Sequence, residues 1–350
     1  MQKVTNYGSF LQAHALKSTL ERLGCECEFI DIKPGRQLPG YRRNFKLYWR
    51  KVRQRLLNRD FVEHIKYLRM LRRRFHDEFF FELGAMHRNN TEYDLVIIGS
   101  DEVFHFAQPT PWGFTTQLYG EVPEGKRVVS YAGSFGHTTL DRIKTYGLED
   151  TLRKALRNMN AISVRDENSR EVVESLIGRK PEQHLDPVFL QDYQSKLTDV
   201  PQSEYLLIYT YPNRISEPDE IRSIVDFARK NHKKIISIGF YFPWVDEVVV
   251  PHPFEVVSYF YRADYVVTDT FHGTILSIVT SANFATIIRE SNTEKLSSLL
   301  LTMEQSDRAV SRENRIATIL QAPADFTRTH EIIQVERKRA LSYLADQVRH

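Results

Sequence analysis

Short apolar runs, each about as long as one β-strand, recur along this chain, and most end in a turn of small or polar residues. Segments with apolar residues at three- and four-residue steps lie between them, as in 8–23, where the apolar face ends before Gly24. This alternation favours parallel sheets covered by helices, an α/β fold. The runs predicted as strands span residues 27–33, 94–100, 126–134, 161–166, 204–211, 233–240, 265–269 and 284–288.

The 350 residues are enough for two domains, and the polar stretch 191–203 separates two series of predicted strands. We predict an N-terminal Rossmann-like domain at 1–198, with a basic helical insert at about 40–80, and a C-terminal Rossmann-like domain at 199–325. A last helix within 326–350 could pack back on the first domain.

Two expectations concern the ends of elements. Ser216 and Asp219 resemble a capping box, and Pro218 suits the first turn of the helix that follows. The helix at 8–23 starts almost at once, although a βα unit begins with a strand. We therefore expect either that Met1 is not the natural start of the domain or that the first domain lacks a strand.

Composition argues against several classes of protein. The chain has 48 Lys and Arg against 45 Asp and Glu, so its net charge of +3 makes no overall case for nucleic acid. No run approaches the ~20 apolar residues that span a bilayer, and no signal-peptide core is present. Cys25 and Cys27 are too few for a closed zinc site. We expect a cytoplasmic protein with reduced cysteines and no metal.

Residues 41–74 are strongly basic, with thirteen Lys and Arg against Asp60 and Glu63. They are either a solvated pair of helices or a surface for an anionic partner, such as the inner face of the membrane. Apolar residues recur there at helical spacing, namely Phe45, Tyr48, Trp49, Val52 and Leu56.

Four of the turns that follow predicted strands are rich in polar groups: GSDEVF (99–104), YAGSFG (131–136), SVRD (163–166) and TDTFHG (268–273). Ligands of open α/β sheets bind beyond the carboxyl ends of the strands, so these turns are the candidate site. The chain has neither a P-loop nor a G-x-G-x-x-G sequence. The turns supply Ser100, Asp101, Ser134, Arg165, Asp166, Asp269 and His272.

Six segments in order resemble the motifs of the polysaccharide pyruvyl transferase family: NYGSFLQAHAL, YDLVIIGSDEVF, SYAGSFG, ISVRDENS, LDPVFL and TDTFHGT, over residues 5–290. The resemblance implies a GT-B-like fold, with two Rossmann-like domains around a cleft. It also implies transfer of a pyruvyl group from phosphoenolpyruvate to a sugar as a cyclic ketal, with no further cofactor. The chain departs from the usual GSDQ-x-W, since it has Glu102 and Phe104.

Residue chemistry and placement, together with the resemblance, suggest roles for these residues. His272 would donate a proton to phosphoenolpyruvate, unless it is only a structural residue of the turn. Arg165 would hold the anionic groups, unless it only pairs with Asp166 or Glu167 at the surface. Asp101 would position sugar hydroxyls or act as a base, although aspartate also caps turns. Gly273 opens a helix whose N–H groups could face an anion, or it serves backbone geometry alone. The further candidates for substrate binding are Asn6, Ser100, Ser134, Gly136 and Thr270. Asp186 is interpreted as structural.

Two other functions stay open at this point. One is a GT-B glycosyltransferase that uses a nucleotide sugar, and the other is a non-catalytic scaffold of the same fold. Binding of phosphoenolpyruvate rather than a uridine or guanosine diphosphate would separate the first hypothesis from the glycosyltransferase. The expected acceptor is a sugar or a lipid-linked oligosaccharide, handled in the cytoplasm and in part at the membrane surface.

Overall fold

The computed structural model describes residues 3–38, 61–86, 92–106, 112–200, 204–311 and 315–349. Two sheets form its framework, one of four strands in the order β1-β2-β3-β4 and one of six in the order β10-β9-β8-β5-β6-β7. Every pair of neighbouring strands is parallel, which confirms the predicted α/β class with one parallel sheet in each half. The strands are β1 (Tyr93–Asp101), β2 (Gly125–Gly133), β3 (Ser163–Val164), β4 (Glu182–Gln183), β5 (Tyr205–Tyr209), β6 (Lys234–Ile238), β7 (Glu247–Val249), β8 (Tyr265–Thr268), β9 (Phe284–Ile287) and β10 (Ala309–Val310).

Helices cover both sheets. They are α1 (Tyr7–Arg22), α2 (Phe61–Arg74), α3 (Leu140–Thr145), α4 (Glu149–Arg157), α5 (Glu167–Ile177), α6 (Pro218–Lys230), α7 (Pro253–Arg262), α8 (Phe271–Val279), α9 (Thr293–Thr302), α10 (Ile316–Gln321) and α11 (Thr327–Arg349). Helix α2 continues through a π-helical turn (Phe75–Phe79) into a last α-helical turn (Phe80–Glu82). Short 3-10 turns span Thr116–Tyr119, Pro187–Leu190, Gln194–Lys196, Glu290–Asn292 and Ser306–Arg308.

Strand register brings the polar turns together. Asp101 pairs with Gly133, and Gly133 pairs with Val164, so the turns after β1, β2 and β3 meet at one edge of the first sheet. Tyr209 pairs with Thr268, which places the turn after β5 beside the turn after β8. The carboxyl ends of parallel strands share one edge of a sheet, so the turns that follow these strands lie side by side, as predicted.

Two local predictions are wrong. Residues 27–33 do not form a strand, because side-chain bonds rather than a ladder hold this segment: Gln117 accepts from the Lys33 N–H at 2.8 Å and donates to the Asp31 carbonyl at 3.1 Å. Ser216 does not cap α6, since the N-cap residue is Glu217, which makes no side-chain capping bond. Pro218 at the first position sets the start of this helix instead.

The helix α11 lies against the first sheet. Tyr343 donates its hydroxyl to the Ser130 carbonyl at 2.8 Å, and Arg127 donates to the Gln347 carbonyl at 2.7 Å. Leu344 and Ala340 are buried in the same contact. The C-terminal helix therefore contacts the N-terminal half, while the residue limits of the domains stay predictions.

An aromatic cluster joins the two halves of the molecule. Tyr7 and Phe10 of α1 pack with Phe75 and Phe79 of the π-helical turn, and all four belong to one buried core with residues of the second sheet. Tyr7 also donates its hydroxyl to the Pro251 carbonyl at 2.9 Å. The first turn of α1 is thus held firmly against the C-terminal half.

The basic insert falls mostly outside the described residues, so the predicted apolar stripe at Phe45–Leu56 is not tested. Its described part, α2, has one buried residue, Leu71, and exposes Val62. None of the described helices has the length and apolar character needed to cross a membrane.

Candidate active site

His272 lies at the junction of the two halves, in the first turn of α8. Its side chain is 7% exposed and packs against Gly8, in the first turn of α1. A Cβ atom placed on Gly8 would lie 2.3 Å from His272 Cγ and 2.6 Å from its Cβ. The N-Y-G sequence therefore ends in glycine because a histidine ring from the other half of the chain occupies the space of a side chain.

Arg165 and His272 meet around one carboxylate. The guanidinium Nη1 donates to Asp101 Oδ1 at 3.1 Å and to Asp186 Oδ2 at 3.2 Å, and the same Asp186 oxygen lies 3.6 Å from His272 Nε2. The Phe271 ring covers the guanidinium at 4.1 Å from Cζ. The suggested surface pairing of Arg165 with Asp166 or Glu167 is wrong, because its side chain is buried and its partners are Asp101 and Asp186.

Asp186 does more than the sequence indicated. Its Oδ1 accepts from the Val188 N–H at 3.0 Å, which is the structural role expected for an Asp-Pro turn. Its Oδ2 is the shared neighbour of Arg165 and His272. Asp186, which follows β4, comes next to α8 only in the tertiary structure, so no local sequence pattern indicates this second role.

Neighbouring groups determine the charge states of Asp101 and Arg165. Burial would raise the pKa of Asp101, but Arg165, His272 and Lys295 outweigh it and lower the pKa to about 2. Burial would lower the pKa of Arg165, but the Asp101 and Asp186 carboxylates outweigh it and raise the pKa. A carboxylate and a guanidinium are therefore both charged near neutral pH.

Lys295 is a cation that sequence reasoning missed. Its Nζ donates to Glu102 Oε1 at 2.8 Å and so joins α9 to the turn after β1. Burial would raise the pKa of Glu102, but Lys295 outweighs it and the pKa is lowered. Glu102 stands where the family usually has glutamine. Its charge is paired with a lysine from the other half of the chain. A lysine in an amphipathic helix carries no sequence signal of such a contact.

The hydroxyls predicted to bind substrate hold the turns in shape. Ser100 Oγ donates to the Ala132 carbonyl at 3.0 Å, and Ser134 Oγ donates to Asp166 Oδ2 at 2.5 Å. Gly136, with φ of +57°, donates its N–H to Ser134 Oγ at 2.9 Å. An added Cβ on Gly136 would lie 3.0 Å from Glu102 Cδ, so this glycine makes room for the Glu102 side chain.

The start of α8 is capped from within the protein. Thr270 is the N-cap, and its Oγ1 accepts from the Gly273 N–H at 2.9 Å. This bond satisfies the Gly273 N–H and agrees with the alternative that the glycine serves backbone geometry, while an anion at the helix N-terminus stays a prediction. An added Cβ on Gly273 would lie 2.1 Å from Thr268 Oγ1, so the glycine permits close packing.

Two further candidates are held by contacts within the protein. Asn6 caps α1 by accepting from the Ser9 N–H at 3.1 Å, and its Nδ2 donates to the Tyr211 hydroxyl at 2.5 Å, across the two halves. Asp269 is buried and accepts from the Thr210 hydroxyl at 2.6 Å, so its carboxylate is held inside the second half.

Two buried nitrogens at the centre of the site lack a hydrogen bond within the described part of the chain. Among the described residues, neither Arg165 Nη2 nor His272 Nε2 has a hydrogen-bond partner, although both atoms are buried. Such groups are costly to leave unsatisfied, so each is a candidate contact for a bound ligand.

A family model described as polysaccharide pyruvyl transferase matches residues 6–291. This chain belongs to that family. The family is described as one of transferases that act on polysaccharide. No curated protein is significantly similar to the chain in sequence.

Among solved structures, the chain is similar to an α,α-trehalose 6-phosphate synthase from Burkholderia multivorans at 11% identity, with 92% of this chain and 86% of that chain covered and a TM-score of 0.43. An O-GlcNAc transferase mutant from Thermobaculum terrenum shares 11% identity, covers 70% of this chain and has a TM-score of 0.33. The present chain spans 60% of the length of that transferase. These similarities are too weak to transfer any activity.

Proposed function

We propose that this family member transfers a pyruvyl group from phosphoenolpyruvate to two hydroxyls of a cell-surface polysaccharide precursor and forms a cyclic ketal. The observation that carries the proposal is the meeting of His272 and Arg165, from different halves of the chain, around Asp186. A proton donor beside a fixed cation is what an enol phosphate requires.

The chemistry follows from the reactivity of the donor. A proton from His272 adds to the methylene carbon of phosphoenolpyruvate and makes the neighbouring carbon electrophilic. One sugar hydroxyl attacks that carbon, phosphate leaves, and a second hydroxyl closes the ring. One hydroxyl proton returns to His272 and the other leaves on hydrogen phosphate, so the equation balances without an oxidant.

Three further residues would bind the donor and the acceptor. Arg165 offers the unpartnered Nη2 to an anionic oxygen, while Asp101 and Asp186 hold its other nitrogen in place. Lys295 is 28% exposed and has further N–H donors besides the bond to Glu102, so it can meet the phosphate group. Asp101 would orient an acceptor hydroxyl or accept its proton.

Mass spectrometry of candidate lipid-linked oligosaccharides, incubated with the protein and phosphoenolpyruvate, tests this function. The expected product carries a pyruvyl ketal and appears together with free phosphate. Conversion with a uridine or guanosine diphosphate sugar instead would favour the glycosyltransferase. Turnover of neither donor over a broad acceptor panel would favour a scaffold.

Lys295→Met should raise the KM for phosphoenolpyruvate by roughly tenfold or more, because a hydrogen bond to a charged group contributes about 1.5–3 kcal/mol. The matched variant is Glu102→Gln, which breaks the same ion pair but keeps the cation. We expect Glu102→Gln to leave donor affinity unchanged or to improve it. Equal weakening by both variants in steady-state kinetics would mean that the pair only joins the two halves.

We also propose that residues 41–74 hold the protein near an anionic membrane surface that carries a lipid-linked acceptor. Each basic group near such a surface contributes on the order of 1 kcal/mol, screened by salt. Co-sedimentation with anionic liposomes that weakens as salt is added supports this idea, and the absence of any binding at low salt would remove it.

A further inference from the structure

The outer edge of β1 is open in the first sheet. Among the described strands, β1 stands at the end of the order β1-β2-β3-β4 and pairs with β2 alone. A groove of about 700 Å³ runs along this edge, between β1 and residues 24–30, and α1 lines it as well. Of the described site residues, Arg165, His272 and Lys295 do not line it. The groove is therefore distinct from the space around Arg165.

The sequence of β1 suits an interior strand better than an edge strand. Its centre, 95–98, consists of consecutive apolar residues, so both of its faces are apolar. Edge strands usually carry a charge, a proline or a bulge that prevents further pairing, and 95–98 has neither a charge nor a proline. Leu95 and Ile97 are only half-buried, whereas Val96 and Ile98 are buried. An edge of this kind is a template for one more strand.

The groove is apolar on both of its faces. Leu16 and Leu20 of α1 lie with Ile97 in one hydrophobic cluster, on one face of the sheet. Val96 and Ile98 belong to a different cluster, on the other face. A strand that entered the groove would therefore meet apolar side chains on both sides, and it would need apolar residues at consecutive positions.

The far wall of the groove, residues 24–30, is connected to β1 by side chains. The Tyr93 hydroxyl, at the start of β1, donates to Glu28 Oε2 at 3.1 Å and so bridges the amino end of the groove. Further along, Gln117 bonds to the backbone of Asp31 and Lys33. In the described part of the chain, β1 and this segment flank the groove and form no ladder with each other. The edge of β1 is thus left to a strand placed between them.

The amino end of the groove is acidic. The acidic walls at this end are Glu26, Glu28, Glu92 and Asp94. Two lysines also line the groove, but Lys126 pairs with Asp94 at 2.8 Å and Lys17 lies 3.7 Å from Glu21. A strand parallel to β1 would have its amino end among these acids, so a basic residue or a free amino group is favoured there.

We propose that the edge of β1 binds an extended segment of a partner protein, which adds one strand parallel to β1, is apolar on both faces and has a basic amino end. Backbone pairing gives such strand addition its affinity, and contacts of the side chains give its specificity. No described segment of this chain enters the groove. A second copy fits poorly, because residues 24–30 obstruct the approach of a second sheet to β1. Such binding does not depend on the proposed transfer reaction.

Cysteine alkylation reports directly on the groove, because Cys25 and Cys27 are the only cysteines of the chain and both line it. The probe is a synthetic peptide that begins with lysine and continues with about five valine and isoleucine residues, a typical strand length. At saturating peptide, we expect alkylation of both thiols, measured by mass spectrometry, to slow by roughly tenfold or more, and hydrogen exchange of the open-edge amides of β1 to slow with it. A peptide with threonine at every second position, and one that begins with glutamate, should protect less.

Leu95→Lys puts a charge on the open edge, as natural edge strands do, and should remove the protection by the peptide. The matched control is Leu301→Lys, which changes a 71% exposed leucine of α9 that does not line the groove and should keep full protection. Both variants should keep the thermal midpoint of the unaltered protein. If Leu95→Lys does not fold, the peptide series with the unaltered protein decides alone.

Three results would overturn the proposed strand site. The first is no protection of the unaltered protein by the lysine-led peptide. The second is equal protection in both variants, or by the threonine peptide. The third is open-edge amides of β1 that are protected before any peptide is added: protection independent of protein concentration would mean that the chain itself fills the groove, and protection that rises with concentration would mean a second copy.

Discussion

His272→Gln is expected to lower turnover of phosphoenolpyruvate by roughly 10² to 10⁴, the range that a positioned general acid contributes. Donor KM should change much less, because glutamine fills nearly the same space against Gly8 and leaves Arg165 and Lys295 in place. Single-turnover and steady-state kinetics with a fixed acceptor measure the two effects separately.

The control for this change is His330→Gln, which replaces a more exposed histidine bonded to the Ser281 hydroxyl. Both variants should keep the thermal midpoint of the unaltered protein within a few degrees. Near-normal turnover in His272→Gln would reduce this histidine to a packing residue between two halves of the chain.

Gly8→Ala is expected to reduce turnover by about 10²-fold or more, although no reacting group is removed. The added methyl would lie within 2.6 Å of three His272 side-chain atoms, one of them the Cβ, so the imidazole must shift. A displacement of about 1 Å can cost 10²-fold in rate. Alanine is a better helix former than glycine by about 1 kcal/mol, so a fall in stability would report the clash rather than a weaker helix.

A double-mutant cycle separates the clash from other effects of the alanine. Gly8→Ala in a His272→Gly background removes both the ring and the Cβ that the methyl meets, so we expect Gly8→Ala to cause no loss of thermal midpoint there. Loss of stability in both backgrounds alike would place the damage elsewhere in α1. Normal activity of the single Gly8→Ala variant would show that His272 need not be held where it is.

Much of the fold was predictable because its signals are local. Apolar runs such as 94–100 and 126–134 became β1 and β2, and the turn 268–273 does join a strand to a helix. The segment 27–33 was predicted as a strand from its apolar residues but forms no ladder, since strand formation depends on tertiary context as well as on pattern. The strands β4 and β10 are only two residues long, too short for periodicity to show, whereas β3 lies inside the predicted run 161–166.

The candidate site, like the fold, was predictable only in part. Sequence pattern and family motifs pointed to Asp101, Arg165 and His272, since each stands in a turn after a strand or close to one. They could not show that Arg165 is buried between two carboxylates, or that Asp186 is the neighbour it shares with His272.

The order of strands, helices and polar turns follows from the sequence alone, because hydrophobic period and turn chemistry act over a few residues. The contacts between the two halves arise only in the folded molecule. Lys295 contacts Glu102 across 193 positions, and Gly8 contacts the ring of His272 from the other half of the chain. Such contacts depend on how the two sheets and their helices pack, and that packing leaves no local sequence pattern at Lys295 or Asp186.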